Sequence, residues 1–231
     1  MSRKILVTGA RGKTGREVTK LLAAQPDLTV LAGASQPEAA VEGAQVQPIR
    51  FDWADPASWS DAVAGVDAIY LMRPDLAEAD TLIGALIALS PQAHIVLLSE
   101  QGADKLPDDD WVRRVELAVE GAAQSWTILR PSWFQQNFTD PRFFLDAIRT
   151  GQTVAMPSGG AAVAWVDTRD IAGVAVQALL DPAAHRGRHY TITGPDAVTI
   201  DGVAQLLSVE TGLAITPVDV PIDAAVPGLP A

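Results

Sequence analysis

The sequence predicts an α/β protein: a doubly wound, mostly parallel sheet followed by a small C-terminal α/β lobe. Three features predict it. A very short apolar run stops at Gly9, a helical periodicity begins directly afterwards, and five further apolar runs each follow a helical or turn segment. Strands that alternate with helices pack as a parallel sheet covered on both faces, which is neither a sandwich nor a bundle.

Residues 4–8 are short, mostly apolar and end at glycine, as a buried parallel strand does. From Gly12 onward, Val18, Leu21 and Leu22 fall on one side and Lys13, Arg16 and Lys20 elsewhere, so an amphipathic helix follows. The apolar runs at residues 28–32, 46–51, 68–72, 94–98 and 126–129 supply the remaining strands. After Leu129 the texture changes. The stretch from Arg130 to Asn137 mixes aromatic and amide residues with neither period, the composition of a pocket-lining loop. Beyond it the pattern predicts a short helix at 143–149, an apolar strand at 161–166, a helix at 170–180, a strand at 190–193, another helix and a last strand around Ile215. The acidic triplet Asp108, Asp109 and Asp110 reads as a solvated loop.

Composition narrows the partners. Among 231 residues, 28 acidic side chains outnumber 17 basic ones, and the net charge of -11 opposes any sequence-independent hold on nucleic acid. The absence of cysteine removes disulfides and thiolate chemistry, and His94, His185 and His189 are not spaced as metal ligands on one helical face. The amino terminus passes from two basic residues through a short apolar run into glycines, too short for a signal peptide. The longest apolar stretch, near residues 82–89, is far below the roughly 20 residues of a membrane helix. The expectation is a cytoplasmic protein that acts on a small molecule, without metal, membrane or nucleic acid, and with a homodimer as the default assembly.

The turn from Gly9 to Gly15 carries the sharpest signal. A dinucleotide pyrophosphate needs backbone N–H groups aimed at it and no side chains in the way, which a glycine-rich turn opening a helix provides. Gly9, Gly12 and Gly15 have that context, with Thr14 at the helix entrance, at the start of a Rossmann-type βαβ series. An acid at the end of the second strand would favour NAD, but Ala32 to Gln36 contain none. Arg11 and Lys13 read either as partners of a 2′-phosphate or as surface charges, and Ser35 either as a phosphate donor or as a turn residue. NADP is the favoured cofactor, with NAD left open. The chain thus divides into a nucleotide-binding part over residues 1–130 and a substrate-binding lobe over 131–231, leaning over the carboxyl ends of the main strands.

Taken together, several stretches resemble the NmrA-like branch of the extended, atypical short-chain dehydrogenase/reductases over nearly the whole chain. They are Val7 to Gly15, Asp52, Trp111 to Glu116, Trp126 to Asn137, Val166 to Ala172 and Tyr190 to Pro195. Within the branch, residues 126–137 look most like bacterial relatives of clavine (ergot alkaloid) dehydrogenases and of quinone-reducing members. The resemblance implies an NAD(P)H-dependent oxidoreductase. It places Asp52 and Trp53 at the adenine, Met72, Arg73 and Pro74 beside the ribose, and Ser99 and Glu100 near the nicotinamide, the latter two as catalytic candidates. It also places Pro131 to Phe134, including Trp133, on the other side of the nicotinamide, and Gln135, Gln136 and Asn137 toward substrate. Core packing is the alternative for Trp133 and Phe134, and pairing with Arg113 or Arg73 the structural role for Glu116.

Two departures stand out. The family's usual proton donor is a tyrosine with a lysine four residues on, whereas Tyr70 is followed at that distance by Pro74 and Tyr190 by Gly194. Relatives also continue beyond the point where this sequence ends at Ala231, which leaves open an exposed pocket, a shortened chain or closure by a second subunit. Without the acid, hydride acceptors such as an iminium, a quinone or an enone are favoured over ordinary ketones, because a ketone needs a proton at the developing alkoxide. Two alternatives remain: a catalytically inactive sensor of NADP(H), and a redox-neutral enzyme on the same fold.

Overall fold

The computed structural model describes residues 3–37 and 43–221. Residues 222–231, where the chain ends, lie outside the described residues. The chain forms two compact units, one of residues 1–131 and 168–192, the other of residues 132–167 and 193–231.

In the first unit, seven parallel strands lie in the order β3-β2-β1-β4-β5-β6-β8. They are β1 (Arg3–Thr8), β2 (Leu28–Ala34), β3 (Val46–Arg50), β4 (Ala68–Met72), β5 (His94–Leu98), β6 (Trp126–Pro131) and β8 (Arg188–Ile192). The order reverses direction between β1 and β4, so a crevice opens beyond their carboxyl ends. Alternate strand residues face alternate layers. Leu6, Ile69, Leu71, Ile95, Leu97 and Ile128 pack against α2 (Trp59–Val63), α3 (Ala79–Leu89) and α4 (Trp111–Ala122). The opposite set, Ile5, Val7, Val96 and Leu129, is fully buried on the face where α1 (Gly15–Ala23) and α5 (Thr168–Leu180) pack together. A short helix, α6 (Pro182–His185), precedes β8.

The second unit contains a parallel strand pair, β7 (Thr153–Met156) with β9 (Thr216–Asp219), and α7 (Ile200–Thr211). Its core gathers Phe144, Ile148, Val154, Met156, Trp165, Val203 and Ile215.

The structure departs from expectation in four places. The break after residue 130 is replaced by an interrupted first unit, because β8 pairs with β6 and draws residues 168–192 back to the large sheet. Residues 161–166 make no continuous strand: Val163 bridges Val198 and Val166 bridges Phe134, so a single run is divided between two partners. The helix expected at 143–149 ends in a π-helical turn at Ala147–Gly151, stopped by Gln152 at φ 49°. β7 is an additional strand, only 4 residues long and alternately buried.

Candidate functional site

The candidate site lies along the carboxyl ends of β1, β4 and β5. At the end of β1, Thr8 Oγ1 donates to the Tyr70 carbonyl at 3.0 Å and accepts from the Met72 amide at 2.8 Å, locking the ends of β1 and β4 together. Gly9 follows at φ 62°, a left-handed conformation that suits glycine. A Cβ there would lie 2.7 Å from Met72 Cε, and one at Gly12 would lie 3.1 Å from the Gly9 carbonyl. A Cβ at Gly15 would collide with that same carbonyl. The turn is closed by Gly12 N–H donating to Gly9 O at 2.8 Å, and Ala10 N–H ties it to Gly33 O of β2 at 3.1 Å.

This cradle fits a dinucleotide diphosphate. The glycines admit close backbone approach, and Thr14, the cap of α1, makes no side-chain capping bond. At the opening of α1 the Arg16 amide donates to the Gly12 carbonyl at 3.2 Å, and the other first-turn amides, which a helix leaves without an intrahelical partner, are the ones that can meet an anion. Arg11 is exposed, Lys13 is half-buried and Ser35 is exposed just past β2.

Past β3, Asp52 Oδ1 accepts from the Ala54 amide at 3.0 Å, and its carbonyl accepts from Trp59 Nε1 at 2.7 Å. Trp53 stands edge-on to Phe51 and Trp59, with centroids 5.0 and 5.5 Å away. The loop after β3 is thus fixed by its own aromatic cluster.

Past β4, Met72 lies on the glycine turn, Pro74 is buried, and Arg73 is sandwiched. The Arg73 guanidinium sits 3.9 Å above the Trp111 ring and donates through Nη2 to Glu100 Oε2 at 2.7 Å. Burial lowers the Arg73 pKa, opposed by the charges of Glu100, Asp75 and Asp110. Glu100, past β5, keeps a 48% exposed side chain.

Ser99 is different: it is 7% exposed, and its hydroxyl donates to Glu116 Oε1 at 2.6 Å. Glu116 is fully buried in α4 and also accepts from Arg130 Nε at 2.9 Å, Arg130 Nη2 at 2.7 Å and Arg113 Nη1 at 2.8 Å. Burial alone would raise this carboxyl, but the hydrogen bonds from Arg130, Ser99 and Arg113 outweigh it and hold the group below its usual range. Of the pairings expected for Glu116, Arg113 is present. Its other basic partner is Arg130, while Arg73 pairs with Glu100.

Pro131 ends β6, and its carbonyl accepts from the Gln101 amide at 2.9 Å. In the second unit, Trp133 is 43% exposed and packs edge-on to Trp165 at 5.9 Å, while Phe134 bridges Val166. Gln135 Nε2 donates to the Trp165 carbonyl at 3.2 Å, Gln136 is half-buried, and Asn137 is buried. Thr8, Trp111 and Arg130 organise the first unit's site without having been assigned roles from the sequence. The signal for Thr8 was a polar residue closing an apolar strand one step before the glycine.

Residues 9–182 match the NAD(P)H-binding family. The chain is 35% identical over 227 residues to a (4-alkanoyl-5-oxo-2,5-dihydrofuran-3-yl)methyl phosphate reductase from Streptomyces griseus, covering 96% of this chain and 78% of that protein. It is 32% identical over 231 residues to an NAD(P)H azoreductase from Xenophilus azovorans, covering 96% and 78%. In fold it is similar to the NADPH-dependent quinone oxidoreductase of Escherichia coli complexed with NADPH, at a TM-score of 0.77 and 24% identity over 98% of this chain and 83% of that one.

Proposed function

This chain belongs to the NAD(P)H-binding family, and on that premise we propose that it is an NADPH-dependent reductase of electron-poor acceptors whose reduction needs no protein acid. The reading is carried by the surroundings of three hydroxyl groups, those of Ser99, Tyr70 and Tyr190. Ser99 Oγ donates to the Glu116 carboxylate, so its proton is engaged. Burial pushes the Tyr70 hydroxyl above its usual value, and the Thr14 side chain, which falls short of hydrogen-bond geometry, offsets this only in part. The Tyr190 hydroxyl pairs with His185 Nδ1 at 2.8 Å, at the β8 edge of the sheet.

The cofactor, when bound, supplies hydride. The residues of this chain hold and orient it: Gly9, Gly12 and Gly15 admit the diphosphate, Arg11, Lys13 and Ser35 meet a 2′-phosphate, and Asp52 with Trp53 flanks the adenine. Met72, Arg73 and Pro74 border the ribose, and Ser99 supports the nicotinamide end through the Glu116 network. Glu100, paired with Arg73 yet half exposed, orients the acceptor. An iminium loses its charge on accepting hydride, and the hydroquinone and enolate anions from quinones and enones are stabilised enough to take a proton from water. Such acceptors match the available groups. The named activities of the two curated relatives, reduction of an unsaturated oxo-furan and of azo compounds, support reduction as the reaction class.

The test is NADPH oxidation across a panel of iminium, quinone and enone acceptors, with a simple ketone as control. Turnover of at least one of the former at many times the ketone rate is expected. Preference for the ketone, or no turnover despite saturating cofactor, would overturn the reading.

A further inference from the structure

Tyr70 carries a hydroxyl that the packing of the first unit does not use. It stands in β4 level with Val7 of β1 and Val96 of β5, and all three are fully buried on the sheet face where α1 and α5 pack together. Among the described residues its hydroxyl has no hydrogen-bond partner. Burying an unpaired hydroxyl is costly, and a phenylalanine would fill the same place without that cost. Burial pushes the Tyr70 pKa above its usual value, so the group keeps its proton, and the Thr14 side chain opposes the rise in part. Thr14 therefore lies beside this hydroxyl, though short of hydrogen-bond geometry.

Thr14 is itself only 1% exposed and opens α1, a helix of 9 residues, at the end of the glycine turn. A threonine that caps a helix takes an extended backbone, which folds its hydroxyl back onto an amide of the first turn. Thr14 is helical instead, at φ -88° and ψ -41°, and makes no such bond. Beneath the cradle, then, one hydroxyl holds a proton without an acceptor, and its neighbour is released from the bond it would ordinarily make. Each hydroxyl gives one proton and accepts at its oxygen. With Tyr70 donating to Thr14 Oγ1, the Thr14 proton is left for an acceptor beyond it, and an anion at the opening of α1 is the strongest acceptor that position can receive. Resting on the dinucleotide reading above, we propose that Tyr70 and Thr14 form a two-hydroxyl relay for the diphosphate: Thr14 donates to a phosphate oxygen, and Tyr70 is a positioning residue that fixes Thr14 as the donor. The relay closes when the cofactor binds, because a hydroxyl that donates to an anion becomes a better acceptor. Tyr70 thereby adds to affinity without touching the cofactor.

The experiment is calorimetric titration of the full chain with NADPH and with NADH, in the wild type, Tyr70→Phe, Thr14→Val, the double variant and Thr14→Ser, with a thermal melt of each without cofactor. Tyr70→Phe removes one hydroxyl and is expected to melt no lower than the wild type, yet to bind NADPH about fivefold more weakly. Thr14→Val is expected to weaken NADPH about tenfold, and the double variant no further than Thr14→Val alone. Thr14→Ser keeps the donor and is expected to bind within about twofold of the wild type. The same factors are expected for NADH, because the diphosphate is common to both, and this separates the relay from the side chains assigned to the 2′-phosphate. A Tyr70→Phe protein that melts lower than the wild type, or that binds NADPH as tightly, would overturn the proposal. So would losses that add in the double variant, or a loss in Thr14→Ser equal to that in Thr14→Val. No heat from the wild type with either dinucleotide would overturn the dinucleotide reading and the relay together, whereas the expected ratios with no acceptor reduced by NADPH would overturn the reductase reading alone.

Discussion

Gly15 shows how little room the turn leaves. Its missing Cβ is the space taken by the Gly9 carbonyl, and that carbonyl accepts the Gly12 amide. In Gly15→Ala the turn must open, at a cost of about 1–3 kcal/mol by the usual penalty for overpacking. The expected outcome is a Tm several degrees lower and NADPH affinity down at least about tenfold, read by thermal melting and calorimetry. Glu100 is a contrasting case, because its side chain is half exposed and paired with Arg73. Glu100→Gln is expected to leave NADPH affinity within about twofold and to lower kcat/KM for the acceptor about tenfold, a loss of roughly 1.4 kcal/mol in the transition state. Steady-state kinetics check this, and an unchanged kcat/KM would remove Glu100 from the mechanism. That the glycines would line a turn was plain from their place between an apolar run and a helical period. That Arg73 would stack on Trp111 was not, because 38 positions separate them in the chain and only the fold brings them together.

Among the elements, α4 joins the sheet through one buried carboxylate. Glu116 ties α4 to Ser99 just past β5 and to Arg130 in β6, so Glu116→Gln would remove the buried charge shared by two arginines and leave Arg113 only Asp108 and Glu120, and Arg130 only Asp104, all more exposed than Glu116. Breaking a buried pair from one side costs about 3–5 kcal/mol, and denaturant unfolding should show a loss of that order. At the opposite ends of the strands, His94 opens β5 with Nδ1 2.7 Å from Ser125 Oγ and Nε2 3.2 Å from Thr127 Oγ1. Burial, with the charges of Arg3 and His185, pushes its pKa from 6.5 down to about 4. The unfolded chain therefore takes up the proton first. This contribution to stability is intact above about pH 6.5 and is lost as pH falls toward about 4, on the order of 2 kcal/mol between pH 7 and pH 5. Urea unfolding at those two pH values checks it, and a His94→Asn variant with the same difference would contradict it. The strands at 68–72 and 94–98 were readable to the residue because each is a buried, uninterrupted apolar run. Residues 161–166 look equally apolar, yet their partners, Val198 and Phe134, lie on different segments, and periodicity carries no information about partners.

For the whole molecule, the interrupted first unit has a consequence for folding. Residues 168–192 supply α5, with Ile171, Ala175 and Leu179 fully buried, and the edge strand β8. A fragment of residues 1–131 would expose the apolar face that α5 covers. It is expected to show no cooperative thermal transition by circular dichroism, and a sharp two-state melt of that fragment would contradict the account. Among the described residues no helix is long and apolar enough to cross a membrane. The interruption was invisible in the sequence because helix and strand patterns say where elements begin and end, not which sheet a late strand joins.

On the proposed reading, first-turn amides of α1 grip a dinucleotide diphosphate, with the phosphorylated form preferred through Arg11, Lys13 and Ser35. Isothermal titration of the full chain with NADPH and with NADH tests it most directly. The account predicts saturable heat for both and a dissociation constant at least about tenfold lower for NADPH, a gap of about 1.4 kcal/mol that narrows in Arg11→Gln. No heat with either dinucleotide at millimolar concentration would contradict it.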